Sequence, residues 1–249
     1  MAFFGKRRVH KNFKHLRGKQ EEKEFNEILL TQDRERITEK VMRMGKIARE
    51  MLEHSLDLVE NENESDAYAV IEQDALVDKL EMEINWECLS TMAMRQPVQD
   101  DLRYVFAVIK LTTDLERIGD ESTNIVRHLL RYRPYWNSSE DLGEIPAMLS
   151  MVMNQLTQAL EAMQNGDLLL ARQIFVNDRE IDNLYDNLYD DFLNNAANCE
   201  SREFSRKAYI LALARHLERV GDHVANIAEY VCFMITGERF TPEADPDKS

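Results

Sequence analysis

The chain has 249 residues and a net charge of −15, with eight glycines and five prolines. So few turn residues, beside abundant Leu, Met, Ala, Glu and Arg, exclude a fold of many short strands and predict long helices throughout. The charge is uneven: residues 1–20 carry seven Lys or Arg and no acid, leaving a body of 24 bases against 46 acids, which repels nucleic acid and free phosphate and favours cations or basic protein partners.

Taken in chain order, residues 1–24 form a basic arm. Lys6, Arg7, Arg8, Lys11, Lys14, Arg17 and Lys19 surround Val9, Phe13 and Leu16, which share one helical face. That pattern could lie on an anionic membrane surface, but the face is short, which favours a solvated, mobile arm. Residues 25–133 read as a three-helix bundle, broken at the polar stretch 61–66 and at Arg95, Gln96 and Pro97, with its last helix spanning roughly 100–132. Residues 134–146, with two prolines and a glycine, link it to a second three-helix bundle at 147–237. There the break falls at Asn165, Gly166 and Asp167, where Gly suits a helix C-terminus and Asp the next N-cap, and the last helix spans roughly 202–236. Residues 238–249, with Pro242 and Pro246, are expected to form a disordered tail. The fold class is therefore all-α, two tandem three-helix bundles.

The two halves are copies. Residues 115–125 read LERIGDESTNI and residues 217–227 read LERVGDHVANI, matching at seven of eleven positions with an offset of 102. Upstream, residues 57–78 align with residues 161–182 at an offset of 104, so a loop in the second copy is two residues shorter. The offset exceeds the period of a solenoid repeat, so each copy is a small multi-helix unit packed on its twin. Leu111, Leu115, Ile118, Ser122, Ile125 and Leu129 recur at helical spacing, as do Leu213, Leu217, Val220, Val224, Ile227 and Val231, giving each copy one buried seam.

Each copy also repeats two pairs of acids four residues apart: Asp74 with Asp78 and Glu116 with Asp120 in the first, Asp178 with Asp182 and Glu218 with Asp222 in the second. On a helix such a pair sets two carboxylates about 6 Å apart on one face, and they repel unless they stay wet or collect a cation. Oxygen donors favour hard cations such as Mg, Ca or Mn, and carboxylate clusters also hold iron and zinc. Composition alone yields about 8 such pairs by chance, and Arg117, Arg215 and Arg219 lie at ion-pairing distance along the helices, so solvated surface pairs are the competing explanation. Asp178, Asp182, Asp186 and Asp190 form a ladder whose drift prevents all four from facing one site. What raises the signal is recurrence in both copies beside Gly119 and Gly221, each inside a helix at a cost of about 1 kcal/mol relative to Ala. Such a glycine makes room for a neighbouring helix or for a bound cluster.

Other chemistry is sparse. No Glu lies three residues before a His, and neither a phosphate-binding loop nor a nucleophile elbow is present. His54, His128, His216 and His223 do not recur between the copies and read as surface or packing residues. Cys88, Cys199 and Cys232 are widely separated and odd in number, as expected of reduced packing cysteines in a cytosolic protein. No run of about 18 apolar residues occurs and the start lacks the apolar core of a secretion signal, so the chain is expected neither to span a membrane nor to be exported by that route.

With these residues in hand, the chain resembles the PhoU family, through VMRMG at residues 41–45, RQPVQDDLR at residues 95–103, and the segments DLERIGDESTNI and HLERVGDHVANI. The similarity covers roughly residues 25–240. It implies two three-helix bundles about a pseudo-two-fold and a cytoplasmic, non-enzymatic regulator of phosphate uptake. The implied partners are the ATPase subunit of the phosphate ABC transporter and the phosphate-sensing histidine kinase. Through them the family keeps the phosphate-starvation response off when phosphate is plentiful. It also implies a homodimer, and multinuclear iron or zinc bound through E/DxxxD motifs that map onto Asp74, Asp78, Glu116, Asp120, Asp178, Asp182, Glu218 and Asp222. The basic arm departs from the family's usual start. A metal-dependent enzyme or metal store on the same scaffold is the alternative reading; a DNA-binding repressor would rest on the arm alone.

Overall fold

A computed structural model describes residues 3–61, 64–135, 139–195 and 199–239, with side chains described for residues 23–61, 65–134, 141–195 and 199–239. Six helices occupy them: α1 (Phe3–Asn61), α2 (Glu64–Arg95), α3 (Gln99–Arg131), α4 (Ile145–Asn165), α5 (Leu168–Asn195) and α6 (Ser201–Thr236). No strand occurs among the described residues. The two motif helices, α3 and α6, begin and end within one residue of the spans read from the sequence.

The seams explain the architecture. Every seam residue of α3 from Leu111 to Leu129 and of α6 from Leu213 to Val231 is buried, and burial of each large aliphatic side chain stabilises the fold by about 1.5–3 kcal/mol. Ser122 is accommodated because its hydroxyl donates to the Ile118 carbonyl at 2.8 Å. Helices α1, α2 and α3 pack mutually to form the first bundle, and α4, α5 and α6 form the second. The bundles meet where α3 packs on α6 and α1 on α4. Phe106 meets Phe233 at one end of the α3–α6 contact and His128 stacks on Tyr209 at the other, so the two helices run antiparallel about a pseudo-two-fold.

Local signals set the helix ends. Gly166 closes α4 in the left-handed region at φ 65°, its N–H donating to the Ala162 carbonyl, a conformation that a Cβ disfavours. Asp167 then caps α5, its Oδ1 accepting from the Leu170 N–H at 3.0 Å. The link between bundles is two short 3-10 turns, Arg133–Tyr135 and Ser139–Leu142, and α4 opens with Pro146 in its first turn. At the base of the first bundle, Asp33 on α1 accepts from Arg95 on α2 at 2.9 Å and from Arg36 at 2.7 Å.

The backbone of α1 continues through the basic arm to Phe3; the arm's side chains, and the tail from residue 240, lie outside the described residues. Cys88 and Cys232 are free and buried, and burial pushes their thiols up to about 12 and about 11, which leaves them inert as packing groups. Cys199 is free and partly exposed. Among the described residues no helix is long and apolar enough to cross a membrane.

Candidate metal centres

On α2, Asp74 and Asp78 straddle the buried Val77; on α3, Glu116 and Asp120 straddle the buried Gly119. Val77 packs into the notch that the glycine leaves: a Cβ at Gly119 would lie 3.3 Å from Val77 Cγ1 and 3.7 Å from Asp74 Oδ1. That close approach sets the two acid pairs against each other. Burial pushes the Asp74 carboxyl up, helped by Asp78 and by Asp120 across the helix gap, while Thr123 and Arg127 pull it back. Burial and Asp120 likewise push Glu116 up, against Arg117. The four acids act electrostatically as one cluster.

The second copy repeats the arrangement more tightly. Ile181, between Asp178 and Asp182 on α5, packs against Gly221 on α6, where a Cβ would lie 3.4 Å from Ile181 Cδ1 and 2.8 Å from Asp178 Oδ1. Burial, with Asp182, Asp222 and Glu218, pushes the Asp178 carboxyl up to about 7. Asp182 and Glu218 are also raised, each by burial first and by Asp222 next. All eight acids singled out in the sequence thus fall into two quartets, one per copy. Asp186, next on the ladder, adds charge beside Asp182, and Asp190 faces solvent.

The quartets differ because their neighbours do. In the first, Arg117 reaches Glu116 at 3.4 Å and Asp120 at 3.3 Å, and Thr123 is near enough to Asp74 to lower its carboxyl, although its buried hydroxyl makes no hydrogen bond among the described residues. In the second, the positions equivalent to Thr123 and Arg127 are Ala225 and Glu229, which offer Asp178 neither a hydroxyl nor a cation. Arg219, the counterpart of Arg117, turns away from Asp222 to Glu121 at 2.8 Å. Glu218 keeps Arg215 at 2.6 Å, but Glu218 Oε2 and Asp178 Oδ1 are buried with no hydrogen-bond partner among the described residues.

A buried carboxylate oxygen without a donor is costly. Two of them, among raised carboxylates and beside a glycine notch, fit a di- or trivalent cation held by oxygen ligands. Among the described residues neither quartet draws a ligand atom from each of three acids within 4.8 Å of one another, as mutual repulsion of like charges would produce.

Sequence reading missed a second constellation, between the bundles. His216 Nδ1 lies 2.6 Å from Glu121 Oε2, and His223 Nδ1 lies 2.9 Å from Asp114 Oδ1, where Asn226 also donates at 3.2 Å. His128 stands beside them, edge-on to His216, and burial with the His216 charge lowers its pKa. Positions 114 and 216, and 121 and 223, are duplication equivalents; copy one carries the acid and copy two the imidazole. The signal was available in the alignment as this exchange of residue type, whereas a search for recurring histidines passes over it.

The sequence profile of the PhoU domain matches twice, at residues 41–129 and 145–231. The chain belongs to the PhoU family. Both PhoU domains carry a complete quartet. The phosphate-specific transport system accessory protein PhoU homologue of Xylella fastidiosa is 31% identical over 212 residues, covering 83% of this chain and 85% of that protein. The PhoU protein of Edwardsiella tarda is 31% identical over 211 residues, covering 83% and 84%. Among solved structures, the crystal structure of PhoU from Pseudomonas aeruginosa superposes with a TM-score of 0.78 at 28% identity, covering 84% of this chain and 99% of that one. The phosphate transport system regulatory protein PhoU from Streptococcus pneumoniae, at 24% identity, shares the fold with a TM-score of 0.74.

Proposed function

We propose that this chain is a non-enzymatic regulator of phosphate homeostasis that works by contact. It binds the ATPase subunit of the phosphate transporter and the phosphate-sensing histidine kinase, and keeps starvation signalling off when phosphate is plentiful. The names of its relatives, accessory proteins of phosphate-specific transport, support the setting. The observation that carries the contact reading is on α2, where Met82, Trp86 and Leu89 follow helical spacing yet stand exposed, Trp86 at 71%. A stripe of large apolar side chains facing water marks a protein-binding surface. In this reading the protein is a cytoplasmic homodimer, and its basic arm rests on the anionic inner face of the membrane beside the transporter.

The quartets serve that role as metal centres. Asp178, Asp182, Glu218 and Asp222 would hold one centre and Asp74, Asp78, Glu116 and Asp120 the other, with iron, zinc, Mg or Mn as the ion. A bound cation supplies positive charge that neutralises the facing carboxylates. The chain's own contribution is to hold those carboxylates on helices locked by the Val77–Gly119 and Ile181–Gly221 contacts. Against a body with an excess of acids, free phosphate has little to bind, so phosphate status reaches the protein through its partners.

A strain lacking the protein should express the phosphate-starvation response in rich phosphate. Wild type should restore repression, and Trp86→Ala should restore it only in part. Normal repression in the deletion strain would overturn the reading. One observation favours the alternative of a metal-dependent enzyme: a carboxyl at about 7, as at Asp178, is also what a general base requires. Metal-loaded protein that hydrolyses a phosphoester, with activity lost in Asp178→Asn, would favour it.

A further inference from the structure

At the end of the first bundle remote from Asp33, the last turns of α1 lie beside the first turns of α2. His54 and Asp57 stand three residues apart near the end of α1, on one face of the helix. Asp66, in the first turn of α2, comes back against them. One ligand atom from each of the three lies within 4.8 Å of the other two, the only such trio among the described residues. His54 Nδ1 and Asp66 Oδ1 are 3.1 Å apart. Asp66 lies eight residues before Asp74, about 12 Å along α2, so the trio is separate from the quartet in the same bundle.

A His–Asp hydrogen bond accounts for two of these groups but leaves Asp57 unexplained. Several partly buried carboxylates are matched by a guanidinium or ammonium, Asp33 by Arg36 and Arg95, Glu87 by Lys40 and Arg36, Glu121 by Arg219, and Asp114, which has an imidazole, has it to itself with an added donor from Asn226. Here His54 is paired with Asp66, Asp57 brings a second carboxylate oxygen within 4.8 Å of both, and among the described residues neither aspartate is ion-paired with a Lys or Arg. The side chain of Asp66 is only 15% exposed, so this negative charge is partly withdrawn from water, which is unfavourable unless a cation offsets it. Ligands about 2.0–2.2 Å from one tetrahedral ion lie roughly 3.3–3.6 Å from each other, a little more than the 3.1 Å between the imidazole nitrogen and the Asp66 oxygen.

We propose that His54, Asp57 and Asp66 form a third cation site that takes a divalent first-row transition ion such as Zn2+. One imidazole nitrogen with two carboxylate oxygens is a mixed donor set that selects zinc, manganese or ferrous iron over the hard alkaline-earth ions. The site belongs to the first copy alone: the equivalent positions in the second are Gln158, Glu161 and Leu170. It ties the end of α1 to the start of α2, a contact that otherwise rests on the packing of Leu58, Val59, Ala67 and Val70.

The test titrates metal-free, full-length protein with Zn2+ by calorimetry, in parallel with His54→Ala and Asp66→Asn. Wild type should take up one equivalent more than either variant, and the histidine ring resonance missing from the His54→Ala spectrum should shift as that equivalent binds. A further variant in which Glu116, Asp120, Glu218 and Asp222 are replaced by their amides should still take up an equivalent that His54→Ala abolishes. This arm separates the His54 site from the quartets, whatever the quartets bind. Equal stoichiometry in wild type and His54→Ala, or a His54 resonance unmoved at saturating Zn2+, would overturn the proposal. Because His54 is partly exposed, its truncation leaves the fold intact, and the resonance is read in wild type in any case.

Discussion

Glu121 on α3 and His216 on α6 lie 2.6 Å apart across the two bundles, and the duplication repeats the contact with the residue types exchanged, as Asp114 and His223 at 2.9 Å. A symmetric pairing of identical residues would set acid against acid or imidazole against imidazole. Divergence to acids in one copy and histidines in the other removed that repulsion, so the halves complement each other better than either complements itself.

The Glu121 carboxyl is buried, which pushes its pKa up, but the His216 hydrogen bond and the Arg219 charge outweigh burial and hold it below the usual range. Its stabilising contribution is therefore full above the ordinary value of 4.5 and lost as pH falls through the lowered value. Glu121→Gln is expected to cost about 2 kcal/mol at pH 7, by loss of a charge-assisted interaction. Urea melts at a series of pH values should show wild type and variant converging below pH ~4.5.

Asp178 has the opposite sign. With its carboxyl raised from 3.8 to about 7, the unfolded chain releases this proton first, so metal-free protein loses stability as pH rises through that window. Asp178→Asn should stabilise metal-free protein by about 1–2 kcal/mol at pH 8, allowing for the solvent that still reaches the group. The gain should vanish at pH 4. Equal stability at pH 8 would show that the carboxylate is not strained by its neighbours.

Gly221→Ala places a methyl 2.8 Å from Asp178 Oδ1, whereas Gly119→Ala meets nothing nearer than Val77 at 3.3 Å. Each gains about 1 kcal/mol of helix propensity, which at Gly119 offsets the tight contact with Val77, so the melting temperature should move little in Gly119→Ala. Gly221→Ala should bind metal about tenfold more weakly, as expected when a ligand's orientation is disturbed. Calorimetry on both variants checks the contrast.

Replacing Glu116 and Asp120 by Gln and Asn should halve the metal content attributable to the two quartets, measured by elemental analysis of protein purified without chelator or polyhistidine tag. Protein in which metal-free and metal-loaded forms have the same native mass and the same melting temperature would remove the quartets as metal centres.

Metal-free protein should bind inorganic phosphate no better than about millimolar, since its surface excess of acid opposes the anion. Micromolar binding by calorimetry without metal would mean that the chain senses phosphate itself.

The helices, their seams and the eight acids were legible in the sequence because each depends on a short-range period: the 3.6-residue turn places Leu111, Leu115 and Ile118 on one face, and a four-residue step places Glu116 beside Asp120. The duplication then showed which of many acid pairs recur. Recurrence could not show that the quartets are unequal, which depends on groups brought from elsewhere on the helix: Thr123 and Arg127 for Asp74, Ala225 and Glu229 at the same places beside Asp178. Nor could it show that Arg219 leaves its own quartet for Glu121. An arginine three residues from one acid and across a helix interface from another has two partners at equal cost in chain entropy. The choice between them is made by burial, because the enclosed Glu121 has more to gain from a guanidinium than the exposed Asp222. Local periodicity thus determined which residues line each helix face, and only the packing of α3 on α6 decided which charges are neutralised and which are left without a partner.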